Sequence, residues 1–273
     1  MVCNFKPLVS VIIPMYNSEK YIEDAVLSVI NQKIFCEIII VDDFSKDNSL
    51  TRVYQIIDKN LTKCKFKIIR NNENKGVSEC RNIAINHSEG KYIAFLDSDD
   101  IWAENKLKKQ ISELEKDEKA IICATAFEYI MENGEKTGCV IKGKNKIKYN
   151  DMLFHNLIAC SSVIIKREII IKYGMEKSTY HEDYITWMKI LKDGNYAINI
   201  DESLLLYRKR KNSKTANKLK SAIMHYNSLK YINIKKPVIM FYFSYYAFNG
   251  LKRLICYKIK NILFKLKTSQ GVN

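Results

Sequence analysis

Glycine and proline are scarce in this sequence, nine and three among 273 residues, and the hydrophobic fraction of 47% suits an ordinary packed core. The eight cysteines, at positions 3, 36, 64, 80, 123, 139, 160 and 256, form no CxxC pair and no metal-like spacing with the four histidines. In a chain of this size that excludes a disulfide framework and reads as the reduced thiols of a cytosolic protein. The opening "MVCNFKPLVSVIIPMYN" lacks a charged n-region and a long apolar h-region, so no export signal is expected. Acids are absent from 203–273, which hold 16 Lys or Arg, whereas the first 202 residues hold 29 basic and 30 acidic ones. The net charge of +15 therefore belongs entirely to the last quarter. A neutral front and a basic tail imply two jobs, the tail facing something anionic.

What is there, over the first 130 residues, is alternation. "LVSVIIP" (8–14), "EIIIVDD" (37–43), "FKIIR" (66–70), "KYIAFLD" (91–97) and "AIICATAF" (120–127) read as buried strands. Between them lie amphipathic helices, the first carrying Tyr21/Ile22, Ala25/Val26 and Val29/Ile30 at four-residue spacing, with Ser18 as its expected N-cap. The pattern predicts an α/β, Rossmann-like, mostly parallel sheet with helices on both faces. Asn133-Gly134 predicts a hairpin, 160–174 a strand and short helix closed by Gly174, and 181–194 a helix with Trp187, Met188 and Leu191 inward. "ESLLLYRKRKNSKT" (202–215) is a last strand running into a basic loop, and no internal repeat is present.

The tail differs. "VIMFYFSYYAF" (238–248) is too short for the roughly 20 apolar residues that span a bilayer. After it, Leu251, Leu254, Ile255, Ile259, Ile262, Leu263 and Leu266 share one helical face and cations cover the other. A basic amphipathic helix of this kind fits an anionic membrane surface; packing on its own domain or on a second copy is the alternative. The expected division is a catalytic domain over 1–210 and a helical basic extension over 211–273.

In parallel sheets ligands sit beyond the carboxyl ends of the strands, which places "PMYN", "DD" and "DSDD" on one rim. Asp97, Asp99 and Asp100 crowd together there, and such a cluster needs a positive partner, a lysine or a metal ion. An Asp-x-Asp at a strand end can hold a hard divalent cation through oxygen. The alternative is an acidic cap for the following helix. "HED" (181–183) has the same two readings, a catalytic acid or acids favoured at a helix start.

Five segments, "VSVIIPMYNSEKYI", "EIIIVDDFSKDNS", "NKGVSECRNIA", "GKYIAFLDSDDIW" and "YHEDYITW", occur in this order. Together, over about residues 8–210, they resemble the family 2 glycosyltransferases with the GT-A fold. The length and the "YYAFNGLKR" stretch look most like bacterial enzymes that build capsule or O-antigen repeat units. The resemblance implies an inverting, metal-dependent transfer of a sugar from a nucleotide-diphosphate sugar, a UDP-sugar above all, with Mn²⁺ or Mg²⁺. The acceptor it implies is a lipid-linked saccharide at the cytoplasmic face of the membrane.

By position, the resemblance puts Pro14, Tyr16 and Asn17 beside the base and ribose, Asp43 on the base, and Arg81 and Asn82 near the nucleotide and phosphates. It puts Asp97 toward ribose or sugar, Asp99 or Asp100 on the metal, Asp183 as general base, and Arg208 over the diphosphate. Trp102 and Trp187 stay open between core and acceptor platform. A nucleotidyltransferase of related fold is disfavoured, because "IIPMYNSEKY" lacks the glycines of a phosphate loop. Nucleic-acid binding is disfavoured too, because the basic quarter mixes its cations with apolar runs.

Overall fold

A computed structural model describes residues 6–59, 64–177, 181–210, 218–242 and 244. The chain runs β1 (Val9–Met15), α1 (Ile22–Ile30), β2 (Cys36–Asp42), α2 (Ser49–Lys59), β3 (Lys65–Arg70), α3 (Val77–Asn86) and β4 (Tyr92–Phe95). It continues through β5 (Ile101–Trp102), α4 (Lys106–Lys116), β6 (Ala120–Ile130), β7 (Lys136–Ile141), β8 (Lys146–Ile147) and α5 (Tyr149–Met152). A 3₁₀ turn at Cys160–Ser162, β9 (Ile164–Lys166), α6 (Arg167–Tyr173), α7 (Glu182–Lys192), β10 (Tyr196–Arg208) and α8 (Lys218–Tyr231) complete it.

The sheet order is β3-β2-β1-β4-β9-β6-β10-β5, with β7 on β6 and β8 on β10. Strands β3, β2, β1 and β4 are parallel, as are β6 and β10, so the α/β expectation holds. Strand β9 is reversed, antiparallel to both β4 and β6. One reversed strand between them leaves β6 and β10 pointing the same way as β4, so their carboxyl ends share its rim. The chain winds from β1 to β3 and then returns across β1 to β4. That reversal opens a crevice at the ends of β1 and β4.

Both sheet faces are covered. Val9, Val11 and Ile13 pack with Ile22, Val26, Val53 and Leu107 on one side. Ile12 packs with Cys80, Ala84, Tyr184 and Met188 on the other. Trp187, Met188 and Leu191 are buried as expected, and so is Trp102, whose Nε1 donates to the Ser161 carbonyl at 2.7 Å. The two tryptophans are core residues. The Asn133-Gly134 hairpin also forms, with Gly134 at φ 89° and the Met131 N–H donating to the Glu135 carbonyl at 2.9 Å.

Ser18 does not cap α1, which starts at Ile22 with no side-chain cap. Its hydroxyl instead meets that of Ser98 at 2.7 Å, tying the loop after β1 to the loop after β4. Leu229 and Ile239 join the core on the α7 side, so the described start of the extension packs on the same layer as α7. The amphipathic helix expected over 251–266 and the basic stretch 211–217 lie outside the described residues. Among the described residues no helix is long and apolar enough to cross a membrane.

Lys106 is fully buried in α4, donating to Gln110 Oε1 at 2.8 Å with its Nζ 4.0 Å from the Trp102 ring centre. Burial pulls its pKa down to about 7, against roughly 10.4 in an unfolded chain. Between those values the unfolded state holds a proton that the folded state lacks, so stability rises with pH by up to about 1.4 kcal/mol per pH unit. Lys106→Met should flatten that rise relative to wild type in urea unfolding across this window; parallel profiles would show that Lys106 titrates normally.

Candidate active site

The strand ends place the acids. Tyr92–Phe95 is buried at all four positions, and the chain leaves it with Asp97 half-buried, Asp99 15% exposed at its side chain and Asp100 almost wholly buried. These acids do not cap α4. Its cap, Asn105, makes no side-chain cap bond, and the Leu107 N–H is taken by Gln32 Oε1 at 3.1 Å. Burial and the charge of Asp97 push the Asp99 carboxyl above its ordinary range, against the pull of Arg210. Asp100 is pushed up further, by burial and by both neighbours.

The positive partners are arginines, not lysines. Arg81, buried in α3, donates through one terminal nitrogen to Asp97 Oδ1 at 2.6 Å and through the other to Glu182 Oε1 at 3.4 Å. Arg208 closes β10: its N–H donates to Asp100 Oδ1 at 2.9 Å and its Nε to the Asp99 carbonyl at 2.8 Å. Its two terminal nitrogens go to the Glu132 carbonyl at 2.8 Å and to Asp24 Oδ2 at 3.0 Å. The arginine expected over the diphosphate is thus an internal clamp, 2% exposed at its side chain, with every guanidinium nitrogen committed. Arg210, two residues on, donates through Nε to Asp99 Oδ2 at 2.6 Å and is 41% exposed.

Asn82 is also committed elsewhere. Its amide donates to the Met175 carbonyl at 2.8 Å and accepts the Met175 N–H at 2.7 Å, fastening the segment after α6 to α3. Asp43 stands at the end of β2, where its own N–H donates to the Met15 carbonyl at 2.8 Å. Burial would raise its pKa, but the Lys75 N–H, the Asn71 amide and the Gly76 N–H, each at 2.8 Å, hold the carboxylate below its ordinary range. The Cys80 thiol adds to this pull, so the acceptor positions of the carboxylate are filled from within the fold. Pro14 is buried at the end of β1, while Tyr16 and Asn17 are exposed on the loop beyond, Asn17 at φ 47°.

Asp183 lies in the first turn of α7 and is half-buried. Its Oδ1 accepts the Tyr184 N–H at 2.7 Å and its Oδ2 the Asn156 amide at 3.3 Å. Burial and the Glu182 charge push its pKa up, against Arg81 and His181. Through Arg81, the start of α7 is bound to the end of β4, which holds Asp97 and Glu182 on one guanidinium despite their lying 85 residues apart.

Sequence reasoning did not single out Ser161, whose hydroxyl accepts the Asp97 N–H at 3.0 Å. It also passed over a half-buried ring cluster at the carboxyl ends of β6 and β10. There Phe127 and Tyr129 are 5.3 Å apart and Tyr129 and Tyr207 5.8 Å, both edge-to-face. Tyr207 is near enough to the rim that burial and the charges of Asp100, Asp97 and Asp99 push its phenol pKa well up.

The family model "Glycosyl transferase family 2" matches residues 10–174, which contain β1 to β4 and the acid cluster. The chain belongs to glycosyl transferase family 2. A relative in Escherichia coli, UDP-Glc:alpha-D-GlcNAc-diphosphoundecaprenol beta-1,3-glucosyltransferase WfaP, is 37% identical over 259 residues, covering 93% of this glycosyltransferase and 98% of WfaP. The fold is that of S. aureus TarS in complex with UDP-GlcNAc, with a TM-score of 0.65, 20% identity and coverage of 89% and 72% of the two chains. It is likewise that of the mannosyltransferase PcManGT from Pyrobaculum calidifontis in complex with GDP-Man and Mn²⁺, with a TM-score of 0.67, 18% identity and coverage of 99% and 77%.

No group of three or more His, Cys, Asp or Glu side chains among the glycosyltransferase's described residues forms a complete metal site. The acids at the end of β4 nevertheless fit a hard divalent cation that draws its remaining ligands from a diphosphate. They are oxygen donors gathered at a strand end, and Asp100 Oδ2 is buried without a hydrogen-bond partner. Breaking a buried ion pair from one side leaves charges stranded. Arg81→Met should therefore cost about 3 kcal/mol in urea unfolding, the lower end of the usual cost because Asp97 is part-exposed. A loss under about 1 kcal/mol would mean that water already screens this bridge.

Proposed function

We propose that this glycosyltransferase moves a sugar, with inversion, from a UDP-sugar to a saccharide carried on a lipid diphosphate, in the assembly of a surface polysaccharide. The observation that carries the reading is the Arg81 bridge, which brings the helix bearing Asp183 against the donor-side acids at the end of β4. The name of WfaP, whose donor is UDP-Glc and whose acceptor is a diphosphoundecaprenol-linked sugar, supports the choice of substrate classes.

Pro14, Tyr16 and Asn17 would border the base and ribose, and Asp43 would lie beside the uracil. Asp97 faces the sugar side. Asp99, the more accessible acid, would hold a divalent cation with Asp100 behind it. When bound, that cation would neutralise charge growing on the departing diphosphate. Asp183 takes the proton from the acceptor hydroxyl as its oxygen attacks the anomeric carbon from the face opposite the diphosphate. The new C–O bond forms as the bond to the diphosphate breaks, so one base suffices and the configuration inverts. A raised carboxyl pKa makes Asp183 a better proton acceptor near neutral pH. The ring cluster of Phe127, Tyr129 and Tyr207 offers apolar faces on which an acceptor sugar can stack.

The catalytic unit is assigned to 1–210 and the membrane role to 211–273. Lys235 and Lys236 are exposed beside Val238, Met240 and Phe241, which are 40%, 67% and 65% exposed, while Ile239 anchors the segment to the core. Cations beside exposed apolar side chains suit the anionic inner face of the cytoplasmic membrane.

Asp183→Asn should lower kcat by about 100-fold or more while calorimetric binding of the UDP-sugar stays within about twofold; full turnover would remove Asp183 from the base role. In the wild type, kcat/KM should rise with pH through a group above the ordinary carboxylate range, because the base acts deprotonated. Met240→Ser with Phe241→Ser should reduce flotation with anionic vesicles but not turnover of a water-soluble acceptor analogue. Unchanged flotation would move the membrane contact elsewhere.

A further inference from the structure

Two arginines at the end of β10 hold the acid cluster in opposite ways. The Arg208 side chain cannot leave without stranding the Asp99 carbonyl, the Glu132 carbonyl and its own buried guanidinium. Among the described residues Arg210 has one polar partner, Asp99 Oδ2, and its part-exposed guanidinium lies 5.9 Å from the Tyr21 ring centre. Its departure would strand little of its own, because a part-exposed guanidinium can be solvated. What it would strand is the Asp99 carboxylate, 15% exposed and crowded by Asp97 and Asp100.

We infer that Arg210 is an exchangeable counter-charge. It neutralises Asp99 while the donor site is empty, gives that carboxylate up to a divalent cation, and turns its guanidinium to the phosphate oxygens that arrive with the cation. The inference rests on the metal and nucleotide reading above. Each charge keeps a partner throughout: Asp99 exchanges a guanidinium for a cation, and Arg210 exchanges a carboxylate for a phosphate, which its planar fork fits equally well. A guanidinium and a divalent cation repel each other at one carboxylate, so they compete. The consequence is coupling. Metal alone must displace Arg210 and binds weakly, whereas a nucleotide diphosphate gives Arg210 somewhere to go and strengthens metal binding, with the reciprocal effect on the nucleotide.

The test is Mn²⁺ titration of the full chain by electron paramagnetic resonance, with and without UDP. It compares wild type, Arg210→Gln, Arg210→Lys, Asp99→Asn and the Arg210→Gln/Asp99→Asn double variant. Arg210→Gln should bind Mn²⁺ alone about tenfold more tightly than wild type, since a charge-assisted hydrogen bond no longer has to be given up. The strengthening by UDP should shrink by a similar factor. Arg210→Lys, which keeps the charge, should stay near wild type, and the double variant should lose the gain. Equal or weaker Mn²⁺ binding by Arg210→Gln, with Asp99→Asn still weakening it, would overturn the exchange and leave the metal reading standing. No binding that depends on Asp99 in any variant, with or without UDP, would overturn the metal reading and the exchange with it.

Discussion

Charge neutralisation beyond the end of β4 is the constraint on which the rest of the structure depends. Asp97, Asp99 and Asp100 follow a fully buried strand, and Glu182 and Asp183 begin the helix that packs beside it. Carboxylates at this density raise one another's pKa values and would protonate or spread apart without cations among them. Three arginines supply the cations. Arg81 reaches the cluster from α3 and Arg208 from the end of β10, both buried, whereas Arg210 is part-exposed. Arginine suits the two buried places because its fork spends several N–H groups at once, as Arg208 does on two carbonyls and a carboxylate.

Topology makes this possible. Parallel strands bring their carboxyl ends to one edge, and the reversed strand β9 lets β6 and β10 keep that direction while lying two and three strands from β4. Arg208, at the end of β10, thereby lands on the backbone and side chains of the acids that follow β4. The cost of gathering so many polar groups is met by mutual satisfaction. Ser18 meets Ser98, the Asp97 N–H meets Ser161, and Asp43 is held by backbone N–H groups. A rim wired in this way fixes its polar side chains relative to one another.

Much of this was legible in the chain. The runs "VSVIIP", "EIIIV" and "YIAFL" are apolar apart from the buried, hydrogen-bonded pair Ser10 and Glu37, because both sheet faces are covered, and the polar residues that follow each run mark the rim. The inward side of α7 was legible from Trp187, Met188 and Leu191. Pairings between distant segments were not. Arg208 and Arg210 look alike in "YRKRK", and only the fold, which pairs Arg208 with Ile130 in β10, shows which is buried and which is part-exposed. Asn82 meets Met175 across 93 residues, and Ser18 meets Ser98 across 80, separations that no local spacing records.

The sequence by itself determined the α/β class, the rim and the acids upon it, because hydrophobic periodicity and strand ends are local properties of the chain. Only the tertiary structure decided how those acids are neutralised. A guanidinium's role depends on which buried atoms lie within about 3 Å of it, and folding alone brings the end of β10 and the middle of α3 to the same cluster.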